Sequence, residues 1–333
     1  MGGPNGCHDP REPLFGGGLE SAGQDTRAGG IHREGEVGAV TQLFPKVLIE
    51  PEETLFSYLG RSAAFHAKTE LVPFLNDFRV RVRDVETGSN GAMERLAELT
   101  GQRVDKLTAI HMFSTANRRF RFRGENFGYQ FLTRSRRSVC PHCLEEEGGL
   151  SPYPGFQRWR VKLLWQFKFC PVCTVHETQL VNAWDKSVGF VPMQDVVKAV
   201  GDRLPSLIAA TRPGKVTSLQ RWVASRLLGE KGDSWLDAQD IDQASKAVEM
   251  LGLILAHGPK AHLRKLTESD WHEAKEVGFE VASAGPGTIK KSLEHLLDRV
   301  QTGRKLQWAP QAHLGPLYHW LYQDDAVSLE AGC

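Results

Sequence analysis

The chain has 333 residues, a formal net charge of +1 at pH 7 and 41% hydrophobic residues, which is enough apolar material for ordinary globular cores. No apolar run reaches the roughly 18 residues of a membrane-spanning helix, and the first residues lack the charged and apolar segments of a secretory signal. These features argue against a membrane-spanning or secreted protein and predict a cytoplasmic one, with two domains or one domain with appendages.

Residues 1–42 are rich in glycine, carry scattered charges and show almost no apolar pattern. A segment of this composition cannot bury enough apolar surface to fold by itself. The sequence therefore predicts a flexible tail here, with the folded part of the chain beginning at Leu43.

A helical region is predicted over residues 43–133. Pro51, followed by two glutamates, has the composition of a helix start, with proline in the first turn and acids at the positive end of the helix dipole. Further helices are predicted at 70–78, 91–99 and 103–112. Gly101 separates the last two, so they form a helix, a glycine stop and a second helix. Such a pair resembles half of a helix-turn-helix, but it is also common in all-α cores.

Arginine and phenylalanine alternate in RRFRFR, residues 118–123, which predicts a strand with one basic and one aromatic face. Between His111 and Val139 the only acidic residue is Glu125, so this stretch of the chain is strongly basic. The candidate nucleic-acid contacts are Arg118, Arg119, Arg121, Arg123, Arg134, Arg136 and Arg137. Such a strip can lie along a phosphate backbone, cover a solvated strand edge or meet an acidic protein partner, and the residues leave all three interpretations open.

Two cysteine pairs predict a metal site: Cys140-Pro-His-Cys143 and Cys170-Pro-Val-Cys173, with His176 three residues after the second pair. In a reducing cytoplasm such pairs are metal ligands more often than disulfides. Five candidate ligands compete for the four positions of a tetrahedral Zn²⁺, and spacing alone favours Cys170 and Cys173 as the second pair. A filled site has no open position for catalysis, so the prediction is one structural zinc per chain.

The zinc-binding module is predicted to span residues 134–184. Aromatic residues should form its core, because a small metal domain buries few aliphatic side chains. These aromatic residues are Tyr153, Phe156, Trp159, Trp165, Phe167 and Phe169. The segment 159–165 fits either a strand or a short helix.

A helical domain is predicted for residues 185–333. Its helices are expected at 193–201, 217–228, 238–256, 269–277 and 286–301. Thr217, or the serine after it, can cap the second of these helices, and Gly229 can end it. Residues 278–285 are expected to form a short extended link. The aromatic segment 314–322 is expected to pack on these helices or on a partner.

No catalytic constellation is present in the sequence. It has no phosphate-binding glycine loop followed by Lys-Ser or Lys-Thr, no G-x-S-x-G and no H-E-x-x-H. The carboxylates do not form a recognisable nuclease or recombinase set, and the 12 histidines are scattered. The sequence therefore predicts a protein that is not an enzyme.

Four stretches, taken together, point to one family. FPKVLIEPEETLFSYLGRSAAFH combines an extended entry, an acidic turn and a helix with an S-x-x-x-R core; RLAELTGQRVDKLTAI follows it, and SVCPHCLEEEG and CTVHETQLV carry the zinc spacing. In this order they resemble the TniQ/TnsD family, the target-selection subunits of bacterial transposons. The resemblance covers residues 43–184, with a weaker likeness in the C-terminal helices.

The resemblance implies a mainly α fold with a small zinc-binding module of the ribbon or knuckle type, and helix-turn-helix-like pairs in the N-terminal part. It also implies a second knuckle of the form Cys-x-x-His followed four residues later by leucine, which here is Leu180. On this basis the ligands of one Zn²⁺ are Cys140, Cys143, Cys173 and His176, with Cys170 as the competing ligand.

Members of this family look like adaptors rather than enzymes. The resemblance implies a protein that links target DNA, or a target-recognising complex such as a CRISPR RNA-guided one, to a transposon AAA+ ATPase regulator and so to the transposase. Such a protein is associated with the bacterial nucleoid, and whether it forms a homodimer is left open. Two rivals are a zinc-ribbon transcription regulator with residues 70–112 as its helix-turn-helix, and a metal-dependent nuclease or hydrolase with an unfilled zinc position.

Overall fold

A computed structural model of the chain describes residues 42–50, 52–133, 137–148, 159–184, 200–301 and 310–330. The fold is mainly α, as predicted. The N-terminal helices are α1 (Leu55–Ala67), α2 (Leu71–Asp77), α3 (Val82–Thr87), α4 (Asn90–Thr100) and α5 (Val104–Ala109). An antiparallel sheet follows, with strands β1 (Phe113–Ser114), β2 (Arg119–Phe122) and β3 (Glu125–Gly128) in that order.

The middle of the chain contains strand β4 (Arg137–Val139), helix α6 (Pro141–Gly148) and strand β5 (Val181–Trp184), and β4 pairs with β5 in an antiparallel manner. The C-terminal helices are α7 (Leu204–Ala209), α8 (Ser218–Leu228), α9 (Ile241–His257), α10 (Glu268–Ser283), α11 (Pro286–Gln301) and α12 (Pro310–Glu330). The domain boundaries at 43–133, 134–184 and 185–333 stay a prediction, as does the flexible tail at 1–42, of which the structure describes only residue 42.

Helix α1 begins at Leu55, so the predicted start at Pro51 with proline in the first turn is wrong; Pro51 itself lies outside the described residues. Thr54 caps the helix, because its side-chain oxygen accepts the backbone N–H of Ser57 at 3.2 Å. The acidic residue before the cap, Glu53, is 1% exposed and therefore does not serve as an exposed charge at the helix dipole.

Glu53 instead forms a buried ion pair with Arg61. Arg61 donates from Nε to Glu53 Oε1 at 2.7 Å, and the Ser57 hydroxyl donates to the same carboxylate oxygen at 2.8 Å. These residues are spaced at i, i+4 and i+8, so they share one face of the helical turn. The S-x-x-x-R pattern is therefore explained by the satisfaction of one buried carboxylate.

The helices predicted at 70–78, 91–99 and 103–112 are confirmed as α2, α4 and α5. Gly101 ends α4 as predicted, with a φ of +64° in the left-handed region that glycine adopts without strain. Helix α3 was not expected. It has six residues and buries only Val85, which is too short a segment to show an apolar period.

The alternation of RRFRFR is confirmed over β2. Phe122 is buried and Phe120 half-buried on the inner face, while Arg119 and Arg121 are exposed on the outer face. Phe120 lies opposite Phe127 of β3, and both phenylalanines are part of a cluster that extends to α8 and α9. The sheet therefore joins the N-terminal helices to the C-terminal ones.

The aromatic residues of the predicted zinc module divide between two cores. Trp159 and Trp165 are buried in one cluster with the cysteines of the metal group. Phe167 and Phe169 are buried in another cluster with side chains of α8 and α9. All four of these rings are buried, as predicted, but two of them pack on the C-terminal helices instead of around the metal group. Tyr153 and Phe156 lie outside the described residues.

The C-terminal helices largely follow the prediction. Helix α8 is capped by Thr217, whose hydroxyl oxygen accepts the Gln220 N–H at 3.0 Å, and it ends at Gly229 with a φ of +96°. Helices α9, α10 and α11 match three predicted segments. The helix predicted at 193–201 lies almost entirely outside the described residues.

The predicted extended link at 278–285 is wrong, because α10 continues to Ser283. A Cβ at Gly278 would lie 2.0 Å from the Val248 carbonyl oxygen, and a Cβ at Gly252 would lie 1.7 Å from the Ala274 carbonyl oxygen. The glycines therefore allow the backbones of α9 and α10 to touch. The aromatic segment at 314–322 packs on this pair, with Leu317 buried against α9.

Within the described residues, no helix is both long and apolar enough to cross a membrane.

Candidate metal centre and basic strand

The first half of the metal centre is formed where a strand meets a helix. Strand β4 ends at Val139, Cys140 follows it directly, and α6 begins at Pro141. Proline is favourable at the first helical position, since its missing N–H would have no partner there. Cys143 lies in the first helical turn, so both thiols point to one side of the junction and both are buried.

The second half is a tight turn. The backbone N–H of Cys173 donates to the Thr178 carbonyl at 2.8 Å, and the Glu177 N–H donates to the Cys173 carbonyl at 2.9 Å. Val172 and Gln179 form an antiparallel bridge at the base of this turn. The chain therefore reverses within residues 173–177, and this reversal brings His176 back over Cys173.

The four residues Cys140, Cys143, Cys173 and His176 can hold one metal ion, since their ligand atoms all lie within 4.8 Å of one another. The Sγ atoms of Cys143 and Cys173 are 3.7 Å apart. The Nδ1 atom of His176 lies 3.5, 3.3 and 3.7 Å from the sulfurs of Cys140, Cys143 and Cys173.

These distances can be compared with a tetrahedral zinc site. With Zn–S of about 2.3 Å and Zn–N of about 2.0–2.1 Å, two sulfur ligands are about 3.8 Å apart, and a sulfur and a nitrogen about 3.5 Å. The observed sulfur–sulfur distance of 3.7 Å and sulfur–nitrogen distances of 3.3–3.7 Å fit this geometry. The donor set, three thiols and one imidazole, is also the chemistry that Zn²⁺ prefers.

Cys170 lies outside this group. It is 1% exposed and belongs to the apolar cluster of Phe167, Phe169 and the C-terminal helices. Burial raises the pKa of the Cys170 thiol to about 12, so this cysteine is a neutral core residue. The structure thus brings together the set that the family resemblance implies, and the assignment of these four residues as metal ligands stays a prediction.

Charged side chains surround the four residues. The Nε2–H of His176 donates to the Glu146 carboxylate at 2.9 Å, which orients the ring with Nδ1 towards the sulfurs. Burial lowers the pKa of His176, but Glu146 and the Cys173 sulfur outweigh burial and raise it. Burial likewise lowers the pKa of Lys162, while the Cys143 sulfur and Glu147 outweigh it and raise the pKa, so the ammonium offsets thiolate charge.

Sequence reasoning missed Glu146 and Lys162. Glu146 follows Cys143 by three residues, a helical spacing that could have indicated a partner for the metal-binding histidine. Lys162 gives no such signal, because only the fold brings it to the cysteines. The neighbouring sulfurs of Cys140 and Cys173 raise the pKa of the Cys143 thiol, since thiolates this close repel one another; a dication would remove that repulsion.

The predicted arginines fall into three groups. Arg118, Arg119 and Arg121 are exposed, as is Arg123. The Arg118 guanidinium lies 5.5 Å from the Tyr129 ring centroid, and that of Arg121 lies 5.4 Å from the Phe113 ring centroid. A cation–π contact of this kind helps to hold a guanidinium in place at the surface, where its N–H groups can meet an anion.

Arg123 has a different role from its neighbours. It lies in the turn between β2 and β3, with a φ of +46°. Its guanidinium donates to the carbonyls of Ala109 at 3.0 Å and Leu228 at 3.2 Å. These bonds hold the exposed Arg123 side chain at the protein surface, and its assignment as a nucleic-acid contact stays a prediction. Arg134, Arg136 and the side chain of Arg137 lie outside the described residues.

Comparison with known protein families places part of this chain within one of them. The TniQ family model matches residues 44–180, a range that includes helices α1 to α6, the basic strand and all four residues of the metal group. No curated protein matches the chain.

Proposed function

We propose that this chain, in which residues 44–180 match the TniQ family model, is a target-selection adaptor in transposition. It connects target DNA, or a complex that recognises the target, to a transposon AAA+ ATPase, which in turn engages the transposase. The observation that carries the proposal is the coincidence of the family match with the Cys₃His group inside it. A CRISPR RNA-guided complex is one candidate for the target-recognising partner.

The metal in this proposal is a structural Zn²⁺, one per chain, held by Cys140, Cys143, Cys173 and His176. When bound, the metal supplies cross-linking between α6 and the turn at 173–177. Four protein ligands fill a tetrahedral site, so no position is left for a reactive water. In this proposal the metal is structural and takes no part in chemistry, and the adaptor contributes to transposition by placing its partners.

The outer face of β2 is the proposed DNA contact. Arg118, Arg119 and Arg121 are exposed on one strand and its preceding turn, and two of them are stacked on aromatic rings. Three guanidinium groups in this arrangement can follow a phosphate backbone without reading a sequence. Recognition of a particular target then depends on the partner complex or on other parts of the chain.

A retention experiment tests this proposal. Duplex DNA is fixed to beads and incubated with the full chain, the AAA+ ATPase of the same transposon and ATP, and the retained proteins are quantified. We expect the ATPase and the chain to be retained together, and the variant Arg119→Glu/Arg121→Glu to lose retention of the chain. The zinc content of the variant is the control for its fold. Failure of the ATPase to associate with the chain, on DNA or free, would contradict the adaptor function.

A transcription regulator is the second candidate function, and the helix–glycine–helix arrangement of α4 and α5 favours it. Helix α5, however, has only six residues, and Arg103 at its start is paired with Asp105 at 2.9 Å. A regulator would bind one operator sequence tightly without any ATPase. Sequence-specific binding of the chain alone in the same experiment would therefore favour the regulator over the adaptor.

A further inference from the structure

The segment 159–165 is in contact with the metal group on one of its sides. Trp159, Val161 and Trp165 are buried in a single cluster with Cys140, Cys143 and Cys173. Trp159 is 6% exposed, Val161 1% and Trp165 4%. Any rearrangement of the thiols on loss of a metal would therefore be felt directly by these three side chains.

The same segment is bonded to the N-terminal helices on its other side. The backbone N–H of Val161 donates to the Ser57 hydroxyl oxygen at 3.0 Å. The Leu163 N–H donates to the Glu52 carbonyl at 2.6 Å, and Lys162 forms an antiparallel bridge with Glu53. Ser57 is fully buried and its own proton goes to Glu53, so its oxygen satisfies Val161 in a place that water does not reach.

Arg160 provides a second link between the two parts. Its backbone N–H and its guanidinium both donate to Glu147, at 3.0 and 2.8 Å, and the guanidinium also donates to Glu50 at 3.0 Å. Glu147 lies one helical turn after Cys143 on α6. The helix that carries the Cys143 thiol is therefore held, through one arginine, to the segment that precedes α1.

We propose that metal binding and the packing of α1 are coupled through residues 159–163, although α1 carries no metal-binding residue. Loss of the metal frees Cys143 and the start of α6, which loosens Val161 and Arg160 and with them the contacts of Ser57 and Glu50. Coupling of this kind is reciprocal: the factor by which the bound metal favours these contacts equals the factor by which the contacts raise metal affinity. A change in α1 that breaks the contacts should therefore weaken metal binding. This inference goes beyond the adaptor function and does not depend on it.

Two serines of α1 provide a matched test. Ser57 bonds to the segment, whereas Ser62 is equally buried and its hydroxyl donates to the Tyr58 carbonyl within the helix at 2.9 Å. The full chain and its Ser57→Ala and Ser62→Ala variants are titrated with Zn²⁺ against a chromophoric chelator. We expect Ser57→Ala to weaken Zn²⁺ affinity at least about fivefold, the lower range of measured couplings, and Ser62→Ala to leave it near the wild-type value.

A second pair of variants covers the case in which Ser57→Ala does not fold. Arg160→Gln removes the link between Glu50 and Glu147, while Arg95→Gln breaks the exposed pair with Glu98 on α4. Arg160→Gln should weaken Zn²⁺ affinity and Arg95→Gln should not. Equal Zn²⁺ affinities within each pair of variants would overturn the proposal.

Hydrogen exchange of the wild-type chain gives an independent readout. Removal of Zn²⁺ by a chelator should accelerate amide exchange in residues 55–67, while the crossing of α9 and α10 around Gly252 serves as an internal reference. Unchanged exchange in residues 55–67 after removal of the metal would also overturn the proposal, whatever the protein does in transposition.

Discussion

Replacing Cys143 with alanine should remove the metal, whereas replacing Cys170 with alanine should leave it in place. Cys143 Sγ lies 3.7 and 3.3 Å from the Cys173 sulfur and the His176 nitrogen, while Cys170 belongs to a separate apolar cluster. His176→Ala should behave like Cys143→Ala. The two cysteine substitutions are chemically identical and both sites are buried, so the difference between them isolates metal binding from core packing.

The magnitudes expected for the two substitutions differ greatly. Structural zinc contributes an apparent binding free energy of about 10–16 kcal/mol in zinc-finger peptides, which is comparable to the about 5–15 kcal/mol stability of a whole domain. Loss of the metal should therefore unfold the region around α6 and the turn at 173–177. Cys170→Ala leaves a cavity the size of one sulfur atom, which costs about 1–2 kcal/mol and lowers Tm by about 2–8 °C.

The assay is elemental analysis of zinc after gel filtration, together with a thermal melt of each variant. We expect one zinc per chain in the wild type and in Cys170→Ala, and almost none in Cys143→Ala and His176→Ala. Loss of zinc from Cys170→Ala with full retention in His176→Ala would refute the reasoning, and it would assign the fourth position to Cys170.

Three further predictions concern packing, DNA and pH. Gly278→Ala should lower the free energy of unfolding by about 1–3 kcal/mol, because its Cβ would lie 2.0 Å from a backbone oxygen. Gly91→Ala is the control: a Cβ there meets nothing within 4 Å, so the change should be neutral or stabilising, and urea melts compare the two variants. Arg119→Glu/Arg121→Glu should reduce the slope of log affinity against log salt by about 0.9 per phosphate contact, and an unchanged slope on DNA that the wild type binds would assign the strip to another role. Burial lowers the pKa of His111 to about 4, so the unfolded chain binds its proton first and stability falls from pH 6.5 to pH 4 by up to about 3 kcal/mol. In His111→Phe, the free energy of unfolding measured by melts between pH 6.5 and pH 4 should fall less than in the wild type. An equal fall in both proteins would exclude His111 as its source.

Features set by neighbouring residues were predicted well from the sequence. Gly101 and Gly229 end their helices, and Thr217 caps α8, because each signal acts within one helical turn. The alternation at Arg119 and Arg121 likewise gave the two faces of β2, since the period of a strand is fixed by its backbone.

Features set by packing were not predictable in this way. Gly278 and the small residues after it have the composition of a link, yet they lie in a helix because α9 approaches them closely. Arg123 continues the alternation of β2, and only the fold shows that its guanidinium bonds to backbone carbonyls distant in the sequence. Cys170 has the same spacing as Cys140, and only the fold shows that the phenylalanines around it belong to another core.

The central claim, that this protein selects the target of transposition, is tested most directly by mapping insertions. Cells that carry the transposon with its ATPase and transposase are compared with and without this chain, and the insertion junctions are sequenced. The account predicts that insertions at the preferred target are lost without the chain, and that they are restored by the wild-type chain but not by Cys143→Ala. An unchanged frequency and distribution of insertions in the absence of the chain would contradict the account.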